Sequence, residues 1–181
     1  SELEEIKKRV DRALEENNKL LKEIEERVRK SNRDNERLLK EIEDRVREVT
    51  ERIKKVEEEG RDRSVLEKIV RKVLDDIRRV MEESEELNRR SNKEIRRVLE
   101  ESRELLKRVR EEIEEVLKKV TDEDVLKKIR DLAREVEENV RESERKIKKL
   151  AEDDNRSVAE SLREIKRLAD EVKRRVDEAR K

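Results

Sequence analysis

The chain has 181 residues, its 53 basic and 53 acidic side chains cancel to zero formal net charge, and 59% of its residues are charged against 30% hydrophobic. Soluble domains carry roughly 25% charged residues, so such a composition first suggests disorder, but cancelling charges and apolar residues placed at helical spacing exclude a solvated coil. No Phe, Trp, Tyr, His, Cys or Pro occurs, which removes disulfides, thiolate and imidazole chemistry, sulfur metal ligands and aromatic stacking platforms.

The first element opens at Ser1, whose hydroxyl with Glu4 three residues on has the form of a capping box. Its apolar stripe runs Ile6, Val10, Ile24, Val28, Ile42 and Val46, each pair repeating the one before it eighteen residues later. Around the stripe, acids precede bases by four residues at Glu5 and Arg9, Glu23 and Arg27, and Glu41 and Arg45; such pairs each add only a few tenths of a kcal/mol to a helix, about 0.2–0.5. Gly60, the sole glycine, stands where a left-handed residue is wanted to close the helix. These signals predict a helix over 2–59.

A second start is signalled by Ser64 with Glu67, and the stripe resumes with Ile77, Ile95 and Ile113, beside Met81, Leu99 and Leu117. This predicts a helix over 65–120. The next break, near Val120 to Asp122, has no glycine, and Thr121 with Asp124 is the capping pair there. The third helix is predicted over 122–180, with Ile129, Ile147 and Ile165 in one series and Leu132, Leu150 and Leu168 in another. At about 1.5 Å rise per residue each helix is on the order of 85 Å long.

Eighteen residues complete five turns at about 3.6 per turn, so a stripe of this period descends a helix without forcing the left-handed supercoil of a heptad. The expectation is an all-α, up-down-up three-helix bundle of long, nearly straight helices, formed by one domain over 1–181. No apolar run approaches the roughly 18 residues of a membrane span. The chain is expected to be soluble and, in a recombinant host, cytoplasmic.

Polar residues interrupt the stripes at positions that match across the helices. Antiparallel neighbours keep a constant sum of residue numbers. Asn17 with Ser102 and Asn35 with Ser84 share one such sum; Ser102 with Ser143, Ser84 with Ser161, Asn88 with Ser157, and Ser91 with Asp154 share another. One network is expected from Asn17, Ser102, Ser143 and Asn139, and a second from Asn35, Ser84, Asn88, Ser157 and Ser161, with Ser31, Ser91 and Asp154 between them. An unpaired buried amide or hydroxyl costs about 1–3 kcal/mol, so matched layers reject any register that parts them. Asn18, Asn32, Asn92 and Asn155 are expected to face solvent. Asp154 is the one ionisable residue on a stripe; Ser or Asn donors, or a snorkelling Arg, are expected to hold it, and burial to raise its pKa.

Chemistry finds little to work with. Nucleophilic triads need His or Cys, and acids interleaved with Lys and Arg make a solvated face, not a metal site. There is no Gly-rich phosphate loop, and a neutral chain without aromatics offers no nucleic-acid surface. No cofactor, metal or catalytic residue is expected, and no partner is required.

Taken whole, the sequence resembles de novo designed, parametrically generated helical bundles with buried hydrogen-bond networks. The eighteen-residue repeat, the Ser-initiated caps, the layered Asn and Ser and the Glu/Lys/Arg surface carry the resemblance. It implies a thermostable, monomeric structural scaffold with programmable interfaces and no natural substrate. The alternative is an interaction module, in which doubled leucines such as Leu20-Leu21, Leu38-Leu39 and Leu105-Leu106 leave an apolar seam for homodimerisation or a partner helix. A third arrangement is a switch in which the polar middle lets one helix detach.

Overall fold

In a computed structural model, which describes residues 1–60 and 63–179, the chain forms three helices: α1 (Glu2–Glu59), α2 (Arg63–Lys119) and α3 (Glu123–Ala179). They hold 58, 57 and 57 residues, and no strand occurs among the described residues. The expected end of the third helix at residue 180 lies outside the described residues.

Cap chemistry sets both ends of α1 and the start of α3. At the start of α1 the Glu4 amide donates to Ser1 Oγ at 3.3 Å, satisfying one of the donors that a first helical turn leaves orphaned, and the Glu5 amide makes the first backbone bond of the helix to the Ser1 carbonyl at 3.1 Å. Gly60 follows α1 with φ at 62°, the left-handed conformation that closes a helix and that a side chain disfavours. α2 begins at Arg63, one residue before Ser64. At α3 the cap is Asp122, not Thr121: the Asp124 amide donates to Asp122 Oδ1 at 3.0 Å, and the Leu126 amide to the Asp122 carbonyl at 2.9 Å. A carboxylate at an N-cap accepts a charge-assisted bond and faces the positive helix end, so it outcompetes the neighbouring hydroxyl.

The helices contribute to two compact units: Ser1–Val28 with Ser91–Glu152, and Arg29–Arg90 with Asp153–Lys181. Within each unit α2 runs opposite to α1. In the first unit Arg9 pairs with Glu112 at 3.7 Å and Arg27 with Glu94; in the second Arg45 reaches Asp76 at 2.5 Å. These arginines recur every eighteen residues, as do their acids. The acids four residues before them are thus passed over in favour of α2, because the i,i+4 geometry competes with a facing carboxylate at the helix flank. Exposed pairs of this kind are worth about 0–1 kcal/mol each, so they favour a register more than they stabilise it.

The stripes meet inside each unit. In the first, Ile6, Val10 and Ala13 pack with Leu106, Val109, Ile113, Ile129, Leu132 and Val136. A second cluster in that unit joins Leu21, Ile24 and Val28 to Ile95, Val98 and Ile147. The second unit is centred on Ile42, Val46, Ile53, Leu66, Val70, Val73, Ile77, Ile165, Leu168, Val172 and Val176. All nine isoleucine and valine positions of the α1 and α3 repeat series Ile6, Val10, Ile24, Val28, Ile42, Val46, Ile129, Ile147 and Ile165 are buried. Full burial of such a side chain contributes about 1.5–3 kcal/mol.

Gly60 tests the closing turn of α1. A Cβ built there meets nothing within 4 Å, so Gly60→Ala should destabilise the chain by about 1–2 kcal/mol through backbone strain alone, and Gly60→Asn by less. Urea unfolding followed by circular dichroism measures both; a neutral alanine would show that the turn relaxes out of the left-handed region.

Candidate functional site in the polar core

The polar residues on the stripes form an Asn-centred network in each unit. In the first unit Asn17, fully buried on α1, donates through Nδ2 to Asn139 Oδ1 at 2.9 Å and to Ser143 Oγ at 2.7 Å. The Ser102 hydroxyl on α2 donates to Asn17 Oδ1. Ser143 Oγ also lies 3.5 Å from Asn139 Oδ1, where it is a donor to a neighbour one turn back. Both polar atoms of the Asn17 amide are therefore satisfied, by residues from two other helices. Ser102 and Ser143 are buried and Asn139 is half-buried. This layer separates the two apolar clusters of its unit, with Ala13 on one side and Leu21 on the other.

The second unit repeats the pattern with one partner fewer. Asn35 Nδ2 donates to Ser161 Oγ at 2.9 Å, and the Ser84 hydroxyl donates to Asn35 Oδ1. All three residues are buried. Asn17 to Ser143 and Asn35 to Ser161 both span 126 positions, so the same register between α1 and α3 holds in each layer.

Asn88 and Ser157, expected in this second network, are not hydrogen-bonded to it. Both are half-buried, and Asn88 Oδ1 is enclosed without a partner. The likeness in spacing placed them at the right height, but a height match does not fix the direction in which a side chain leaves its helix. Ser31 is half-buried and Ser91 buried, and each has a partner. Asn18 and Asn155 face solvent, whereas Asn32 and Asn92 are half-buried and Asn32 Oδ1 is shielded and unpaired. Asn32 was thus missed by sequence reasoning: it sits a turn after Val28 and a turn before Asn35 is complete, on the flank that in the next repeat carries Thr50, itself half-buried. That repeat position is the signal that could have found it.

Asp154 departs furthest from expectation. It is 1% exposed, yet neither carboxylate oxygen has a hydrogen-bond partner, so no Ser, Asn or Arg holds it. Burial pushes its carboxyl up to about 6. Serine hydroxyls on a helix have a competing acceptor in the carbonyl four residues back, which is why a serine at the matching height does not ensure a donor.

On the surface Glu94 is held by two arginines. Arg97 donates to it at 2.7 Å and Arg27 reaches it from α1, and the Arg97 hydrogen bond, with the charges of Arg97 and Arg27, holds its carboxyl below the usual range. Glu164 is lowered in the same way by Arg167. Among the described residues no group of three or more Asp or Glu side chains is arranged to hold a metal ion, and no helix is long and apolar enough to cross a membrane.

Replacing Asn35 by Leu removes one amide whose two partners are serines, and each serine can turn to its own helix carbonyl. Stability to urea should change by no more than about 1 kcal/mol, while backbone amide spectra broaden as neighbouring registers become accessible. Asn17→Leu should be the more damaging of the two, by about 1–3 kcal/mol, because it also takes a donor from the Asn139 amide, a partner that the Asn35 layer lacks. Equal losses at the two sites would contradict this assignment of partners.

No family model matches the chain, and no curated protein does. A solved structure described as a computationally designed three helix bundle aligns with a TM-score of 0.66 at 17% sequence identity, covering 99% of this chain and 87% of that one. At that identity the likeness concerns the fold: the chain is a three-helix bundle.

Proposed function

We propose that the chain is a designed structural scaffold with no biochemical activity of its own, and that its buried Asn and Ser residues serve to specify how the helices align. The observation that carries this reading is the Asn17 amide, both of whose polar atoms are taken up by side chains from the other two helices in the middle of an otherwise aliphatic core. An amide so placed contributes little net stability but rejects alternative registers. The eighteen-residue repeat, the narrow choice of residue types and the fold shared with a computationally designed bundle support the designed origin.

Residues available for chemistry support the absence of activity. The sequence has no His or Cys, and Ser84 and Ser102, at most 2% exposed, spend their hydroxyl protons on the Asn35 and Asn17 amides. A serine needs an adjacent base and access to substrate to act as a nucleophile.

An interaction module is the second reading, and the doubled leucines speak to it. Leu21 and Leu106 are buried and their neighbours Leu20 and Leu105 half-buried; Leu20 and Leu105 line a surface groove bordered by Glu16, Lys19, Glu101, Glu104 and Arg108. Two leucines among five charged residues fill the flank of a three-helix core better than they make an interface, since stable interfaces have apolar centres depleted of charge. Val65 is the exposed large hydrophobic residue among those described.

Sedimentation equilibrium or light scattering over a wide concentration range separates the two readings. A scaffold should give a constant mass of 22.0 kDa. A mass that doubles with concentration, and returns to single on Leu20→Glu with Leu105→Glu, would replace the scaffold by the interaction module.

A further inference from the structure

The buried side-chain atoms without a hydrogen-bond partner among the described residues are four oxygens and one nitrogen: Asn32 Oδ1, Asn88 Oδ1, both carboxylate oxygens of Asp154, and Arg175 Nε. Arg175 lies some 30 Å further along α3 at about 1.5 Å per residue, beside Glu171. The four oxygens belong to one unit and come one residue, or one functional group, from each helix. Register puts Asn32 and Asn88 at one level and Asp154 within about one turn of it. Asn32 and Asp154 are separated by the same 122 positions as the hydrogen-bonded Asn17 and Asn139. On α1 and α2, Asn32 and Asn88 stand three and four residues from the bonded pair Asn35 and Ser84, displaced in opposite chain directions as antiparallel neighbours must be.

Every one of these atoms is an acceptor. An amide oxygen and an ionised carboxylate cannot satisfy each other, and burying them together is expensive unless a donor is supplied. A protonated carboxyl group is both donor and acceptor, so a single proton on Asp154 creates an O–H that one of the amide oxygens receives and at the same time discharges the buried anion. The charged side chains of these segments do not offer that relief: Asp34 pairs with Arg37 on α1, Glu86 with Arg89 and Arg90 on α2, and Asp153 with Arg156 on α3, while Arg33, Glu85 and Glu160 are exposed.

We propose that Asp154, Asn32 and Asn88 form a buried proton-binding site, so that this segment of the second unit is closed when the Asp154 carboxyl is protonated and loosens when it ionises. The site extends the scaffold with a local response to pH that the Asn17 and Asn35 networks, built from neutral groups, do not have. The sign follows from the proton's affinity for the closed form. Burial raises the carboxyl from 3.8 to about 6, so the closed segment binds a proton that the opened segment releases. Closure is then strongest at low pH, and its advantage is lost as pH rises through about 6.

Hydrogen exchange of the full chain, corrected for the intrinsic pH dependence of exchange, reads this directly. Between about pH 7.5 and 4.5 the protection of amides in 31–35, 84–90 and 153–161 should rise roughly thirtyfold, while amides of the Ile6 and Ile113 cluster stay level. Asp154→Asn, which keeps the shape and cannot ionise, should hold the segment closed and flat across the range. Asn32→Ala combined with Asn88→Ala should move the Asp154 midpoint, followed by carboxyl carbon resonance, downward, because the protonated form loses its acceptors. Three results would overturn the proposal: protection independent of pH in the unaltered chain; an Asp154 midpoint at or below the ordinary carboxylate value, which would mean that amide nitrogens face it; or protection at fixed pH that depends on exchanging sodium for a bulky organic cation, which would make the occupant a metal cation instead of a proton.

Discussion

An asparagine amide buried among aliphatic side chains tolerates one axial alignment of its neighbours. Sliding a helix by a turn moves its serine or asparagine more than 5 Å, beyond the reach of a hydrogen bond, and leaves a dry polar group that costs about 1–3 kcal/mol. Leu, Ile and Val impose no such condition, since an aliphatic stripe repeating every eighteen residues presents nearly the same face after a shift of one repeat. Asn17 and Asn35 are themselves one repeat apart, so they would also match after such a shift, were it not that their partner sets differ: Asn17 has Asn139 as well as two serines, whereas Asn35 has the serines alone. The unequal layers break the degeneracy that the repeat creates.

Stability and specificity are thus supplied by different residues. Buried Ile, Leu and Val side chains, at about 1.5–3 kcal/mol each, carry the drive to fold against a chain entropy of similar total size. The amides and hydroxyls add little net energy. Ion pairs between α1 and α2 add a weaker and less selective copy of the same information: Arg9, Arg27 and Arg45 meet their acids in the antiparallel register that the Asn layers also require, but, since both series recur every eighteen residues, they do not distinguish it from a shift of one repeat.

Much of this was legible in the sequence. The eighteen-residue series named the buried Ile and Val positions, Ser1 and Gly60 marked the ends of α1 correctly, and constant residue sums put Asn17 with Ser102 and Asn35 with Ser84, which are bonded. What escaped were matters of competition and direction. Thr121 and Asp122 are adjacent candidates for one cap, and only the backbone decides between them. Arg9, Arg27 and Arg45 had acids available on their own helix and chose those across the groove. Heights along a bundle can be counted from residue numbers, but the azimuth of a side chain depends on how each helix is rotated about its axis, and that rotation is fixed by packing on all sides. Asn88, Ser157 and Asn32 were misjudged for this reason.

Asp154 shows where consistency between levels stops. Its repeat mates Val136 and Val172 are buried apolar residues, and an acid in their place is a local rule broken inside a chain that otherwise keeps its rules. In natural proteins such violations cluster where something other than folding is being served. Here the surrounding groups decide what the violation amounts to. A carboxylate among Ser and Asn donors would be one more register device, indistinguishable in effect from Asn17. A buried carboxyl that no donor holds is a different object, because its protonation state changes the number of donors in the core by one, and among the buried side chains of the described residues Asp154 alone is an acid.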